Sequence, residues 1–103
     1  MAYDKALLAL ADPTRRAVFE YLRKRPSAVG DIADRFPVSR PAISQHLRVL
    51  KAAGLVGERR EGTRRIYAVE VRGLAELRRY IDRMWNEALE AFEHEANRPG
   101  GTR

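Results

Sequence analysis

Val38-Ser-Arg-Pro-Ala-Ile-Ser-Gln-His-Leu-Arg-Val-Leu-Lys-Ala-Ala-Gly-Leu-Val56 reads as a helix with one apolar edge and one polar edge that carries no acid. At 100° per residue, Ile43, Leu47 and Leu50 cluster on one side. Pro41, Gln45 and Arg48 fall near the opposite side, with Ser44 beside them. Solubilising surface helices usually mix Glu with Lys. Here Arg40, Arg48 and Lys51 are the only charges, and no acid occurs from Arg35 to Gly57. An outward face of Gln, Ser and Arg without carboxylates suits the acceptor-rich DNA major groove. A solvated polar face is the alternative, so the neighbouring segments have to decide.

Those neighbours supply a short helix before it and an arginine-rich hairpin after it. Tyr3–Ala11 carries Leu7, Leu8 and Leu10 and is expected as a first helix. Asp12-Pro13-Thr14 restarts the chain: Asp12 can accept amide hydrogen bonds as an N-cap, and Pro13 loses no bond at the first helical position. That helix runs to about Lys24, before Pro26. Ser27 is expected to cap a third helix over Ala28–Phe36, with Ile32, Ala33 and Phe36 turned inward. Pro37-Val38-Ser39 makes the tight turn, Ser39 caps the basic helix, and Gly54 can supply the left-handed conformation that ends it. Tyr67, Val69 and Val71 then alternate with Ala68 and Glu70, the period of a half-buried strand. Glu61-Gly62-Thr63 marks the reversal of a hairpin. From Leu74 to Ala96, a long helix repeats Leu74, Leu77, Ile81, Met84, Ala88 and Phe92, with Trp85 and Leu89 beside that line, at the alternating spacing of a packing seam. The expected architecture is a winged helix-turn-helix, mainly α with a small β-hairpin wing, in the order α-α-α-α-β-β-α. One domain over residues 1–96 and a flexible tail over 97–103 complete it.

Composition bounds the function. At 103 residues the chain supports one modest core. It has no apolar run near 20 residues. The N-terminus also lacks the basic start and apolar centre of a signal peptide, so a cytoplasmic setting is expected. With no cysteine, disulfides and thiolate metal sites are excluded. The net charge of +6 hides an asymmetry. Residues 1–81 hold 17 Lys/Arg against 9 Asp/Glu, whereas Asp82–Glu95 holds five acids against Arg83 alone. A polyanion therefore suits the body rather than the last helix.

Gln45 is the best candidate for reading a base, since its amide matches adenine bidentately for about 1–3 kcal/mol of discrimination. Ser44 is less selective. Arg40 can reach guanine or a phosphate, and Arg48 and Lys51 suit phosphates. At the hairpin tip Arg59, Arg60, Arg64 and Arg65, with Thr63, can enter a minor groove or hold flanking phosphates. His46 lies about 65° from the centre of the apolar edge, the place of a packed boundary residue rather than a reader. Leu7, Leu8, Leu77, Ile81, Met84, Trp85, Ala88 and Phe92 are the expected dimer contacts. A long amphipathic helix in so short a chain has little to bury against except a second copy.

Leu10-Ala-Asp-Pro-Thr-Arg-Arg16, the Ser-x-Pro-x-x-Ser-x-His-Leu-x-x-Leu run from Ser39 with its Ala53-Gly-Leu-Val56 sequel, and Gly62-Thr-Arg-Arg-Ile-Tyr67 resemble the ArsR/SmtB family of bacterial repressors over about residues 4–95. The resemblance implies a homodimer joined through the first and last helices (residues 3–11 and 74–96). It implies binding to inverted-repeat operators and repression until an effector releases it. It places Ser39, Arg40, Pro41, Ser44, Gln45 and Arg48 on the DNA-facing helix and the arginines near Gly62 in the wing. Many relatives sense metals through a Cys-x-Cys type motif near the third helix, or through paired His and acidic ligands on the last. Here the third-helix region reads Ala28-Val-Gly-Asp-Ile-Ala-Asp34, and His94 on the last helix has no second histidine. No cofactor is therefore expected, and the resemblance carries over no effector.

Two other functions compete with a sequence-specific repressor of double-stranded DNA. One is a zinc- or nickel-responsive repressor using His94 and acids across a dimer. The other is an architectural nucleic-acid-binding protein with little sequence preference, which the lack of aromatic side chains on the basic surface opposes. No nucleophile–base pair or phosphate-cradling glycine loop suggests an enzyme.

Overall fold

The computed structural model describes residues 2–99. The elements run α1 (Ala2–Ala11), α2 (Pro13–Lys24), β1 (Ser27–Ala28), α3 (Val29–Ala33), α4 (Arg40–Ala52), β2 (Val56–Glu61), β3 (Arg64–Val69) and α5 (Val71–Ala96). The winged helix-turn-helix expected from sequence is present, with one added strand. Ser27 does not cap α3. Instead Ser27 and Ala28 pair antiparallel with Tyr67 and Ile66, giving a three-stranded sheet in the order β1-β3-β2. Buried Ser27 donates its hydroxyl to the Arg25 carbonyl at 3.3 Å, and Ala28 takes the N-cap position without a side-chain bond. The third helix is correspondingly shorter than expected. Arg35 N–H bonds to Ile32 O, tightening the exit ahead of Pro37, whose ring disfavours helical geometry in the residue before it.

The Asp12-Pro13-Thr14-Arg15-Arg16 stretch stitches two helices end to end. Asp12 accepts the Arg15 amide at 2.8 Å and caps α2. Arg15 Nε donates to Ala9 O at 2.7 Å and Arg16 Nη1 to Leu10 O at 2.9 Å, satisfying carbonyls that α1 leaves unpaired at its C-terminus. The exit of α4 is equally explicit. Gly54 N–H bonds to Lys51 O and Leu55 N–H to Leu50 O, with Gly54 at φ +78°, the Schellman arrangement. The start of α5 presses on this turn, and a Cβ at Gly73 would lie 1.8 Å from the Gly54 carbonyl oxygen.

The core gathers Val18, Leu22, Ile32, Ile43, Leu47, Leu50 and Leu55, all fully buried. Leu77 joins them at 7% exposure, so it packs inside the protomer rather than on the outer seam where it was expected. Tyr67 and Val69 pack against this cluster, and Ile66, opposite Ala28, is also buried. Val71 does not continue the strand: Glu70 donates to Leu55 O at 2.8 Å, and α5 begins at Val71, whose side chain is exposed. From Ile81 to His94 every residue of α5 is exposed. The radius of gyration is 18.6 Å, against about 13 Å for a compact chain of this length. Of the expected tail, Asn97 still bonds to Glu93 O, while residues 100–103 lie outside the described residues.

Candidate nucleic-acid interface

Helix α4 turns its apolar edge wholly inward, and that orientation determines what its other edge presents. Ser39 caps the helix by accepting the Ala42 amide at 3.2 Å, with Pro41 in the first turn. With Ile43, Leu47 and Leu50 buried, Arg40, Pro41, Gln45, Arg48 and Lys51 are exposed along one side and Ser44 is half-buried. The Arg48 guanidinium donates to Oε1 of Gln45, one turn away. Arg48 and Gln45 thus form one polar unit on the outward face, in which the two N–H groups of the Gln45 side-chain amide remain available as donors.

The wing lies alongside this helix. Gly62, at φ +64°, and Thr63 close the hairpin, and the β2–β3 register sets Arg60 opposite Arg65 and Glu61 opposite Arg64. Two grooves separate wing from helices. The first, about 360 Å³, brings Arg40 to Thr63, Arg64 and Arg65 across Gly30 of α3. The second, about 300 Å³, lies between Ser44, Arg48 and Lys51 of α4 and Glu58, Arg65 and Tyr67 of the sheet. Arg65 borders both, so residues predicted separately on the helix and the wing converge on one basic surface.

Several of these cations have carboxylate partners that sequence reasoning missed. Lys51 Nζ meets Glu58 Oε1 at 2.6 Å, and Arg65 Nη1 lies 3.5 Å from Glu58 Oε2. Arg64 Nη2 reaches Asp31 Oδ2 on α3 at 2.6 Å, and Arg59 pairs with Glu61 at 3.0 Å. The Lys51 hydrogen bond, together with the charges of Lys51, Arg65 and Arg60, holds the Glu58 carboxyl below its ordinary pKa. The Arg64–Asp31 and Arg59–Glu61 pairs, exposed on both sides, contribute only about 0–1 kcal/mol each. Phosphates can therefore compete for Arg64 and Arg59 at small cost. Arg40 and Arg60 hold no ion pair among the described residues.

His46 occupies the boundary expected of it: its half-buried ring puts Nδ1 4.0 Å from the Asp12 carboxylate. The expected dimer contacts other than Leu77 are surface residues. Leu7, Ile81, Met84 and Ala88 are exposed, and Leu8, Trp85 and Phe92 stand at 72%, 62% and 71% exposure. His94 is exposed in the last turn of α5. Among the described residues no three His, Asp or Glu side chains come together as a metal site, and no helix is long and apolar enough to cross a membrane.

A buried-edge helix with an acid-free outer face, flanked by a basic β-wing, defines a winged helix-turn-helix DNA-binding protein. The comparisons agree. A family model described as a helix-turn-helix domain matches residues 10–59. The chain is 55% identical over 89 residues to the HTH-type transcriptional regulator Rv2034 of Mycobacterium tuberculosis, covering 86% of this chain and 83% of the relative. It superposes with a TM-score of 0.79 and 30% identity on an ArsR-like transcriptional regulator from Rhodococcus sp. RHA1, over 94% of each chain. It also matches the homodimeric winged helix-turn-helix DNA-binding domain of Mb0332 from Mycobacterium bovis, a possible ArsR-family regulator, with a TM-score of 0.68 and 30% identity over 84% of this chain and 80% of that one. The chain belongs to the ArsR family of helix-turn-helix transcriptional regulators.

Proposed function

We propose that two copies of this chain, joined through α1 and α5, act in the cytoplasm as a sequence-specific repressor of an inverted-repeat operator. The activity assigned is binding, with no catalytic step. The observation that carries the DNA reading is the union of α4's exposed edge with the wing through Arg65, which borders both grooves. Gln45 reads a base edge; Ser39, Arg40, Pro41, Ser44, Arg48 and Lys51 seat the helix. Arg59, Arg60, Thr63, Arg64 and Arg65 hold flanking backbone. The dimer reading is supported by the apolar side chains that α1 and α5 leave in water. Two-fold pairing then presents two α4 helices to half-sites one helical turn apart, about 34–36 Å.

Fluorescence anisotropy on the protein's own promoter fragment and on scrambled DNA, across a salt series, tests this reading. A preference of about a thousandfold or more is expected of an operator binder. Equal and steeply salt-dependent binding to both would replace it with an architectural role. In a purified transcription assay, an operator-bound repressor lowers transcript yield from that promoter; unchanged or raised yield removes the repressor assignment.

A further inference from the structure

An acid inside a DNA-binding surface is costly to keep beside phosphates unless it contributes something to recognition. Glu58 is such an acid. It sits on β2, opposite Tyr67 in the hairpin register, and lines the groove between α4 and the wing. Its side chain is only 22% exposed, against 62% for Glu61 and 57% for Asp31. Its two oxygens engage different elements: Oε1 takes Lys51 of the recognition helix and Oε2 faces Arg65 of the wing. Resting on the operator-binding reading above, we infer that Glu58 is a specificity-determining residue, which withholds Lys51 and Arg65 from the backbone of non-cognate DNA.

Glu58 and DNA phosphates compete for the same two cations. Non-specific affinity comes almost entirely from phosphate neutralisation, which is blind to sequence. A cation held by Glu58 contributes nothing to it until the pair opens. An opened pair also leaves the carboxylate facing phosphates across the same groove. On scrambled DNA, phosphate attraction alone has to meet that cost. On the operator, base contacts along α4 bring the helix to full depth, and the backbone arrives close enough to take both cations. Glu58 therefore weakens the wrong complex more than the right one, discrimination by penalty rather than by contact.

The test is Glu58→Gln, which keeps shape and removes the charge, measured on promoter and scrambled DNA across a salt series beside Glu61→Gln. The latter makes the same charge change at the wing tip. Glu58→Gln is expected to tighten scrambled-DNA binding about tenfold and to steepen its log–log salt slope by about 1–2, at roughly 0.9 per phosphate gained. Promoter affinity should rise about threefold at most, so the preference falls. Glu61→Gln should leave the preference within about twofold. An unchanged or weakened scrambled-DNA affinity in Glu58→Gln, with the wild-type preference intact, would overturn the inference alone. So would an equal effect of Glu61→Gln, which would reduce it to net charge. A wild-type protein without promoter preference would defeat the operator reading itself.

Discussion

Helices α4 and α5 are both amphipathic, yet they leave opposite faces in water. The apolar edge of α4 (Ile43, Leu47, Leu50) disappears into the protomer, and its exposed edge is polar and free of acid. Past Leu77 the apolar edge of α5 (Ile81, Met84, Trp85, Phe92) stays in water, and its charges are mostly acidic. The difference states what each helix lacks. α4 is complete as a folding element and incomplete electrostatically; α5 is incomplete as a folding element. A polyanion satisfies the first and a second apolar surface the second. A row of exposed apolar side chains along one helix is a common mark of an interface.

Four substitutions break or sharpen that contrast, the largest effect first. Leu50→Ala, in the buried edge of α4, should destabilise the fold by about 2–5 kcal/mol, read in a denaturant melt. That loss should be the same at every protein concentration. Trp85→Ala, on the exposed edge of α5, should weaken self-association by about 2 kcal/mol or more, roughly thirtyfold in the dimer dissociation constant. Sedimentation equilibrium measures it, and a melting point insensitive to concentration in the wild type would dissolve the contrast. Gln45→Ala should cost about 1–3 kcal/mol on promoter DNA and little on scrambled DNA, whereas an equal loss on both removes it from base reading. Arg60→Ala, which breaks no ion pair among the described residues, should lower the salt slope by about 1 on both DNAs.

Acid titration gives a finer comparison between Glu58 and the other acids of the surface. Its folded pKa is depressed by Lys51 first and then by Arg65 and Arg60. Its stabilising share is therefore fully present above the unfolded carboxylate pKa and is lost as pH falls through the lower folded value. Glu58→Gln should be less stable than wild type near neutrality and converge with it in strong acid. Parallel stability curves at every pH would contradict the Lys51 contact.

Much of this was legible from residue chemistry at short range. Asp12 and Ser39 announced their helix starts, and Gly54 its exit, because caps act within three or four residues. The apolar edge of α4 was readable because one helix buries one stripe. Longer-range facts were not. Strand β1 is two residues long and exists only because β3, some forty positions onward, offers it an edge. Leu77 and Ile81 share the same repeat, and periodicity cannot say which layer of a seam faces its own core. Nothing local in the sequence marks Glu58 and Asp31, since only the folded hairpin sets them beside Lys51 and Arg64.

The capped joint between α1 and α2 has a mechanical consequence. Arg15 and Arg16 clamp the carbonyl end of α1 while Asp12 holds the amide end of α2, so the corner has little slack. Helix α5, at 26 residues, is a rod about 39 Å long. Over that length a tilt of about 5° displaces the far end by about 3.4 Å, one base-pair step along a strand. Were two copies joined through α1 and α5, as proposed, a stiff corner would pass the angle of those helices to the DNA-facing surfaces as spacing. A modest change of hinge angle would then put the two reading heads out of phase with their half-sites.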